Sequence, residues 1–274
     1  MDLRGKIAIV TGSGGLGSGR AEARRLASEG CQVVVSDIDE AGGEETVRLI
    51  AADGGRAGFF RCDVRSRSDV RALVEFAEQK FGRLDILVNN ASAPYHPGAP
   101  MDQWYDTVQA DLFGAMYGVE YGTAAMRKRG GGTIVNVSST SAIGHGQSHS
   151  NAPAYDISKI GVLRLTTMLA SLRESANIRV NCLVPDWVAT PEVKSYWDAL
   201  TPEERRNPRI PAVLISLEEI AQRVVDLITD ESLAGRVMVC WCGQKPALIP
   251  LTDQGYDELE PYRGTGPAFL GSTM

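Results

Sequence analysis

Lys6-Ile7-Ala8-Ile9-Val10-Thr11-Gly12-Ser13-Gly14-Gly15-Leu16-Gly17-Ser18-Gly19 is an apolar run stopped by glycines. Residues 6–11 predict a buried strand, and from Ser18 the composition turns helical until Gly30 ends it. Strand, glycine turn and helix in that order form a phosphate cradle. Glycine permits a tight turn and close backbone approach, and a helix N-terminus offers free N–H groups and the positive end of a dipole. Gly12, Gly14 and Gly17 satisfy the spacing G-x-G-x-x-G. Asp37 follows about 20 residues later, after a second apolar run, where a carboxylate accepts hydrogen bonds from an adenosine ribose. That charge would repel a 2′-phosphate. The segment Ser36-Asp37-Ile38-Asp39 holds no Arg or Lys, so the expected cofactor is NAD rather than NADP.

Outward from this stretch the alternation continues. Strand patterns fall at residues 32–36, 58–62, 84–88, 133–138, 178–184 and 236–240. Helical patterns fall at 40–52, 68–81, 102–129, 155–175 and 217–229. Such alternation predicts right-handed βαβ units. The expected fold is α/β: a single Rossmann-like doubly wound domain, with a seven-stranded parallel sheet and helices on both faces. The domain is expected to span residues 1–243. Over 244–274 periodicity is lost and proline and glycine recur, which fits a loose tail or an arm packed on the body or on a partner subunit.

The 274 residues suffice for one such domain and its core. Hydrophobic residues at 43% and charged residues at 23% exclude a disordered chain. A net charge of −6 disfavours gripping nucleic acid by its phosphates. No apolar run approaches the roughly 18 residues of a membrane span, and the N-terminus does not read as a signal segment. Five cysteines form no disulfide framework and fit a reducing, cytoplasmic location.

Tyr155 and Lys159 stand four apart on one predicted helix and share a face. A tyrosine ordinarily titrates near pH 10. A neighbouring ammonium stabilises the phenolate and makes the phenol a usable general acid and base. Ser139 ends a strand pattern, where its hydroxyl would reach a substrate oxygen. Asp63-Val64 either holds an adenine ring or only starts a helix. His145 and His149 lie in a glycine-rich loop between Ser139 and Tyr155. They are too few to ligate a metal, and no metal is expected. They read as substrate-recognition groups or as a solvated loop. Cys240-Trp241-Cys242 points both thiols to one strand face and reads as a packed strand end.

Over about residues 5–243 the sequence resembles the short-chain dehydrogenase/reductase family. The likeness rests on Thr11-Gly12 with its glycines, Asp37, Asp63-Val64, Leu84-Asp85-Ile86-Leu87-Val88-Asn89-Asn90-Ala91, Ser139, Tyr155 with Lys159, Arg179-Val180-Asn181, Pro185 and Thr190-Pro191. Val119-Glu120-Tyr121 and residues 230–235 further resemble the hydroxyprostaglandin-dehydrogenase branch. The resemblance implies that Tyr155 exchanges a proton with the substrate oxygen and that Ser139 polarises it. It implies that Lys159 lowers the tyrosine pKa and binds the nicotinamide ribose. Asn90 and Ala91 would line the cofactor, and Val188 and Thr190 would meet its carboxamide. A homotetramer or dimer through the helices of 102–129 and 155–175 is implied as well.

Four positions depart from the family pattern. Leu16 stands where a glycine belongs, and a one-residue insertion restores the pattern as Gly17-Ser18-Gly19. Asp111 replaces a helix asparagine whose backbone carbonyl completes a proton relay, and the added carboxyl is expected to shift nearby pKa values. Asp186 replaces the glycine after Pro185. Ser92 replaces the glycine that ends Asn-Asn-Ala-Gly. The loop before Tyr155 is also longer than is usual in the family.

The resulting expectation is an NAD-dependent oxidoreductase that interconverts a secondary alcohol and a ketone, with no nucleic-acid or membrane partner. The substrate side would draw on residues 141–153, Tyr95-His96, and Trp187, Tyr196 and Trp197. Those aromatics suit a ring-bearing or lipid-like alcohol, or else only pack a lid. A family member doing dehydration or epimerisation is the alternative to which Asp111 and Asp186 point. A non-catalytic NAD-binding regulator is a third reading, against which the intact Ser139, Tyr155 and Lys159 argue.

Overall fold

A computed structural model describes residues 1–94, 97–143 and 150–251. The expectations for Tyr95-His96, His145, His149 and residues 252–274 lie outside the described residues. The strands are β1 (Ile7–Thr11), β2 (Gln32–Asp37), β3 (Arg56–Arg61), β4 (Ile86–Asn89), β5 (Gly132–Val137), β6 (Ile178–Pro185), β7 (Val237–Cys240) and β8 (Ala247–Leu248). The helices are α1 (Ser18–Ser28), α2 (Glu40–Ala52), α3 (Arg67–Phe81), α4 (Trp104–Val108), α5 (Gly114–Arg127), α6 (Pro153–Met168), α7 (Leu172–Ala176), α8 (Pro191–Ala199) and α9 (Leu217–Thr229).

The sheet order is β3-β2-β1-β4-β5-β6-β7-β8. Every residue of β1, β4 and β6 is buried. Helices cover both faces, so these strands read as unbroken apolar runs. Successive residues of β1 serve opposite layers. Ala8 and Val10 pack with Leu26 of α1, Ile50 of α2 and Val224 of α9. Ile7 and Ile9 pack with Leu73 of α3 and Met126 of α5. The strand order reverses between β1 and β4, which opens a crevice beyond their carboxyl ends, at Gly12 and Asn90.

The structure corrects four expectations. The sheet has eight strands, not seven, and is not wholly parallel, because β8 runs antiparallel to β7. Gly243, at φ +70°, helps turn the chain back, and Ile249 packs with Val162 and Val237. Two paired residues are too short a run to show a period. The stretch 102–129 is helical without a break from Met101 to Arg127 but not uniformly α: a π-helical turn over Gln109–Phe113 joins α4 to α5. The stretch 155–175 begins earlier, at Pro153, and divides into α6 and α7 around Ala170, which abuts Gly235. Between β6 and α9, where the sequence pattern shows no element, α8 forms, with Pro191 in its first turn and the Thr190 hydroxyl capping Val193 N–H.

Candidate active site

The glycine loop is built by exclusion. Gly12 has φ +67°, and a Cβ there would lie 2.7 Å from Ala91 Cα. Any side chain on Gly19 would run into Gly12 O and Asn90 Nδ2. Thr11 Oγ1 accepts the N–H groups of Asn90 and Ala91, each at 3.1 Å. Asn90 Nδ2 donates to Thr11 O at 3.0 Å and to Gly12 O at 3.2 Å. Asn90 and Ala91 are therefore tied to the turn that ends β1. Gly17 is the N-cap of α1 and lends no side chain to its first N–H groups. Gly15 has open space where a Cβ would stand.

Asp37 ends β2 with both oxygens engaged. Oδ2 accepts Gly14 N–H at 2.7 Å and Oδ1 accepts Asp39 N–H at 3.0 Å. Arg20 is a brace that the sequence reading missed. It donates to Thr46 Oγ1 at 2.8 Å, to Gly42 O at 3.0 Å and to Gly14 O. Nothing in the local pattern distinguishes it from a surface arginine. An uncapped helix N-terminus, a loop without side chains and a fixed carboxylate form a donor and acceptor set that fits a dinucleotide.

Asp63 is ion-paired with its near neighbour Arg65. Arg65 grips its carboxylate at 2.7 Å and holds it below the usual carboxylate range. Val64 packs where a side chain on Gly114 would stand, 3.0 Å from that position. Val188 pairs with Ile215, and a Cβ on Gly17 would stand 3.7 Å from Thr190 Cγ2. The segment after β6 thus reaches the glycine loop.

The chemical groups gather on α6 and the ends of β4 and β5. Of the two serines after β5, Ser138 is buried and donates to Lys159 O at 2.7 Å, a structural role. Ser139 is half-buried, and its hydroxyl accepts Ser141 N–H at 3.3 Å. Lys159 Nζ lies 5.3 Å from the centre of the Tyr155 ring and 3.3 Å from Asp111 Oδ2. Its side chain is 4% exposed, and that of Asp111 is fully buried. Burial pushes the ammonium's pKa down. The Asp111 carboxylate, with help from Tyr155 and the direct hydrogen bond to Asp111, outweighs burial and holds the pKa above its ordinary 10.5.

Asp111 sits in the π-helical turn, a distortion that frequently marks functional positions. Oδ2 also accepts Ser92 Oγ at 2.7 Å, and Oδ1 accepts Ala93 N–H at 2.7 Å. Two departures from the family pattern therefore meet in one contact. A third, Asp186, accepts Thr140 Oγ1 and Cys242 N–H, each at 3.3 Å.

A cleft beside Tyr155 is lined by Pro94, Ala99, Trp104, Thr107, Ala152 and Pro153. The ring centres of Trp187 and Tyr196 lie 5.9 Å apart. Trp197 is lid packing: its N–H donates to Pro211 O at 2.9 Å and Arg205 covers its ring at 4.0 Å. Cys240 and Cys242 both pack on the α1–α9 layer. Burial pushes their thiols up to about 11 and about 12, leaving little thiolate.

The family model described as short chain dehydrogenase matches residues 6–200. The chain is 37% identical over 203 residues to 2,5-dichloro-2,5-cyclohexadiene-1,4-diol dehydrogenase of Sphingobium indicum, covering 72% of this chain and 78% of that one. It is 34% identical to cis-4-hydroxycyclohexanecarboxylate dehydrogenase of Sinomonas cyclohexanicum, over 82% of this chain and 90% of that one. Among solved structures, a 7α-hydroxysteroid dehydrogenase complexed with NADH and 7-oxo glycochenodeoxycholic acid superposes with a TM-score of 0.78. It is 31% identical, and the match covers 88% of this chain and 96% of that one. A doubly wound sheet with a glycine turn at its switch point, and a Tyr-Lys pair beside it, define a dinucleotide-type oxidoreductase. The chain belongs to the short-chain dehydrogenase/reductase family.

Proposed function

We propose that this chain is an NAD-dependent dehydrogenase that interconverts a secondary alcohol on a ring and the matching ketone. The observation that carries this is the buried Lys159 ammonium beneath the half-buried Tyr155 ring, at the carboxyl edge of the sheet. Tyr155 exchanges the proton with the substrate oxygen, Ser139 hydrogen-bonds that oxygen, and Lys159 stabilises the phenolate. The bound dinucleotide supplies the hydride acceptor or donor. Gly12, Gly17 and Gly19 admit its pyrophosphate to the α1 N-terminus. Asp37 takes the adenosine ribose, Asn90 and Ala91 form the floor, and Val188 and Thr190 close the nicotinamide end.

The ring-bearing substrate class draws on three relatives whose names specify hydroxylated or keto rings. The Trp187–Tyr196 pair suits a ring. The free cysteines suit a reducing cytoplasm. Assembly as a homotetramer or dimer is supported by Phe113, Met116, Ile157 and Ile160, exposed along the π-helical turn, α5 and α6.

The test follows NADH absorbance with cyclic secondary alcohols and ketones, in parallel with NADP. Turnover with NAD and a cyclic alcohol supports the reading. Absence of turnover with either cofactor across the panel overturns it in favour of a binding protein.

A further inference from the structure

We propose that this chain carries a second binding site, at the end of the sheet opposite the candidate active site, for a small anion with two or three negative charges on phosphoryl or carboxylate oxygens. The inference goes beyond the dehydrogenase reading and does not depend on it. A cavity of about 320 Å³ lies there, at the low end of the roughly 300–1,000 Å³ usual for small-molecule sites. Its walls come from where strands begin. Lys6 precedes β1, Arg83 and Asp85 precede β4, Gly132 starts β5 and Arg179 is the second residue of β6. The glycine loop and Tyr155 stand at the carboxyl ends, so the five residues of β1, roughly 16 Å of strand, separate the two sites.

The walls carry five cationic side chains, Lys6, Arg83, Arg129, Arg173 and Arg179, against two carboxylates, Asp85 and Glu231. That surplus stands out on a chain whose net charge is −6. Asp85 is buried, and both its oxygens are engaged: Oδ2 accepts Ile7 N–H at 3.0 Å, and Oδ1 faces Arg83 and, at 3.8 Å, Lys6. Glu231 is 71% exposed and pairs with the Met1 amino group at 3.0 Å. Arg129, Arg173 and Arg179 form no ion pair with a carboxylate among the described residues. They donate to carbonyls instead, Arg129 to Gly82 O at 2.9 Å, Arg173 to Glu231 O at 2.6 Å and Arg179 to Asp230 O at 2.9 Å. Arg83 Nε–H is buried without a hydrogen-bond partner among the described residues.

A carbonyl satisfies a donor but leaves the charge uncompensated, and a buried cation without a counter-charge is costly. Arg179 is 6% exposed. Burial pulls its pKa below the ordinary value, against the pull of Glu231, and Arg173 adds to the fall. An anion in the cavity supplies the missing charge. Four of the five cations are arginines, whose planar forks take two oxygens of one phosphate or carboxylate at once. Gly130 adds no side chain to the wall, and a Cβ there would meet nothing within 4 Å, so the space beside Arg129 stays open. Five cations against two carboxylates leave three charges to balance, which sets the charge of the ligand at two or three.

Pyrophosphate and citrate are the probes, titrated calorimetrically into the protein with and without saturating NADH, because pyrophosphate also suits the glycine loop. One equivalent of anion is expected to bind with NADH present. Arg129→Gln combined with Arg173→Gln, both at exposed positions, should weaken that binding by at least about tenfold and leave NADH affinity unchanged. Glu231→Gln removes a wall carboxylate and should tighten binding about two- to fivefold, an opposite sign that a misfolded variant does not produce. A response to only one of the two anions supports the site and names its ligand as phosphoryl or carboxylate. The site is overturned if neither anion binds more tightly than about 1 mM. It is also overturned if NADH displaces both anions, or if the arginine pair and Glu231→Gln all leave affinity at the wild-type value. Failure of NADH to bind ends the dehydrogenase reading instead, and the variants still locate the anion.

Discussion

Tyr155 and Lys159 lie one helical turn apart, and the lysine is the more deeply buried of the two. Burial alone would make that ammonium costly, so the Asp111 carboxylate is what keeps it charged. The charge matters through the Tyr155 oxygen. Tyr155→Phe removes that oxygen and leaves the ring's packing nearly unchanged. Turnover is expected to fall by about a hundredfold or more, with NADH still bound in a fluorescence titration. Retention of most activity would remove Tyr155 from the mechanism. Asp37 is the second residue on which the reading depends. Its hydrogen bonds to a ribose involve a charged acceptor and are together worth about 1.5–3 kcal/mol, so Asp37→Ser should weaken NAD about ten- to a hundredfold. The same change also releases Gly14 N–H, which loosens the loop beneath the cofactor. Affinities of both forms for NAD and NADP check this, and a wild-type preference for NADP would mean that Asp37 has been misread.

The glycine loop is where an element's shape is most directly encoded. Two glycines of the loop make opposite forecasts. A Cβ on Gly15 meets nothing within 4 Å, whereas one on Gly19 collides with Gly12 O and Asn90 Nδ2. Gly15→Ala should leave NAD affinity unchanged. Gly19→Ala should weaken NAD by at least about tenfold and cost about 1–3 kcal/mol of stability, read by titration and urea unfolding. Equal behaviour of the two variants would contradict the inserted register Gly17-Ser18-Gly19. The strands, the glycine turn and the Tyr155–Lys159 pair were legible because each rests on local pattern: an apolar run, a missing side chain, an i to i+4 spacing. The π-helical turn was not legible. One residue added to a helical turn leaves composition unchanged, and what it achieves is a contact between Asp111 and a lysine on another helix. Neither α8 nor β8 was visible. The first hides its cap, Thr190, among prolines, and the second has only two paired residues. Arg20 and Thr46 were missed because, apart from each other, their partners are backbone carbonyls, which carry no sequence signal.

At the scale of the molecule, two features follow from how the sheet is covered. The π-helical turn, α5 and α6 leave Phe113, Met116, Ile157 and Ile160 exposed, an apolar set suited to self-association. Light scattering on wild type and on Ile160→Glu checks this: an oligomer is expected for the first and a smaller species for the second, and a monomeric wild type would end the assembly reading. The second feature is Glu22, on the α1 helix that packs against α9. It is fully buried, and neither carboxyl oxygen has a hydrogen-bond partner among the described residues. Burial raises its pKa from 4.5 to about 8. The folded chain then holds a proton that the unfolded chain releases, so between pH 4.5 and about 8 the folded state binds more protons. The contribution of Glu22 to stability is therefore most favourable below pH 4.5 and declines as pH rises to about 8. Glu22→Gln keeps the size of the side chain and removes its titration. Urea midpoints of the two proteins should converge at the acid end and separate toward pH 8, with the glutamine variant the more stable there. Curves that stay parallel across this range would show that Glu22 is ionised in the folded protein and has a partner in solution.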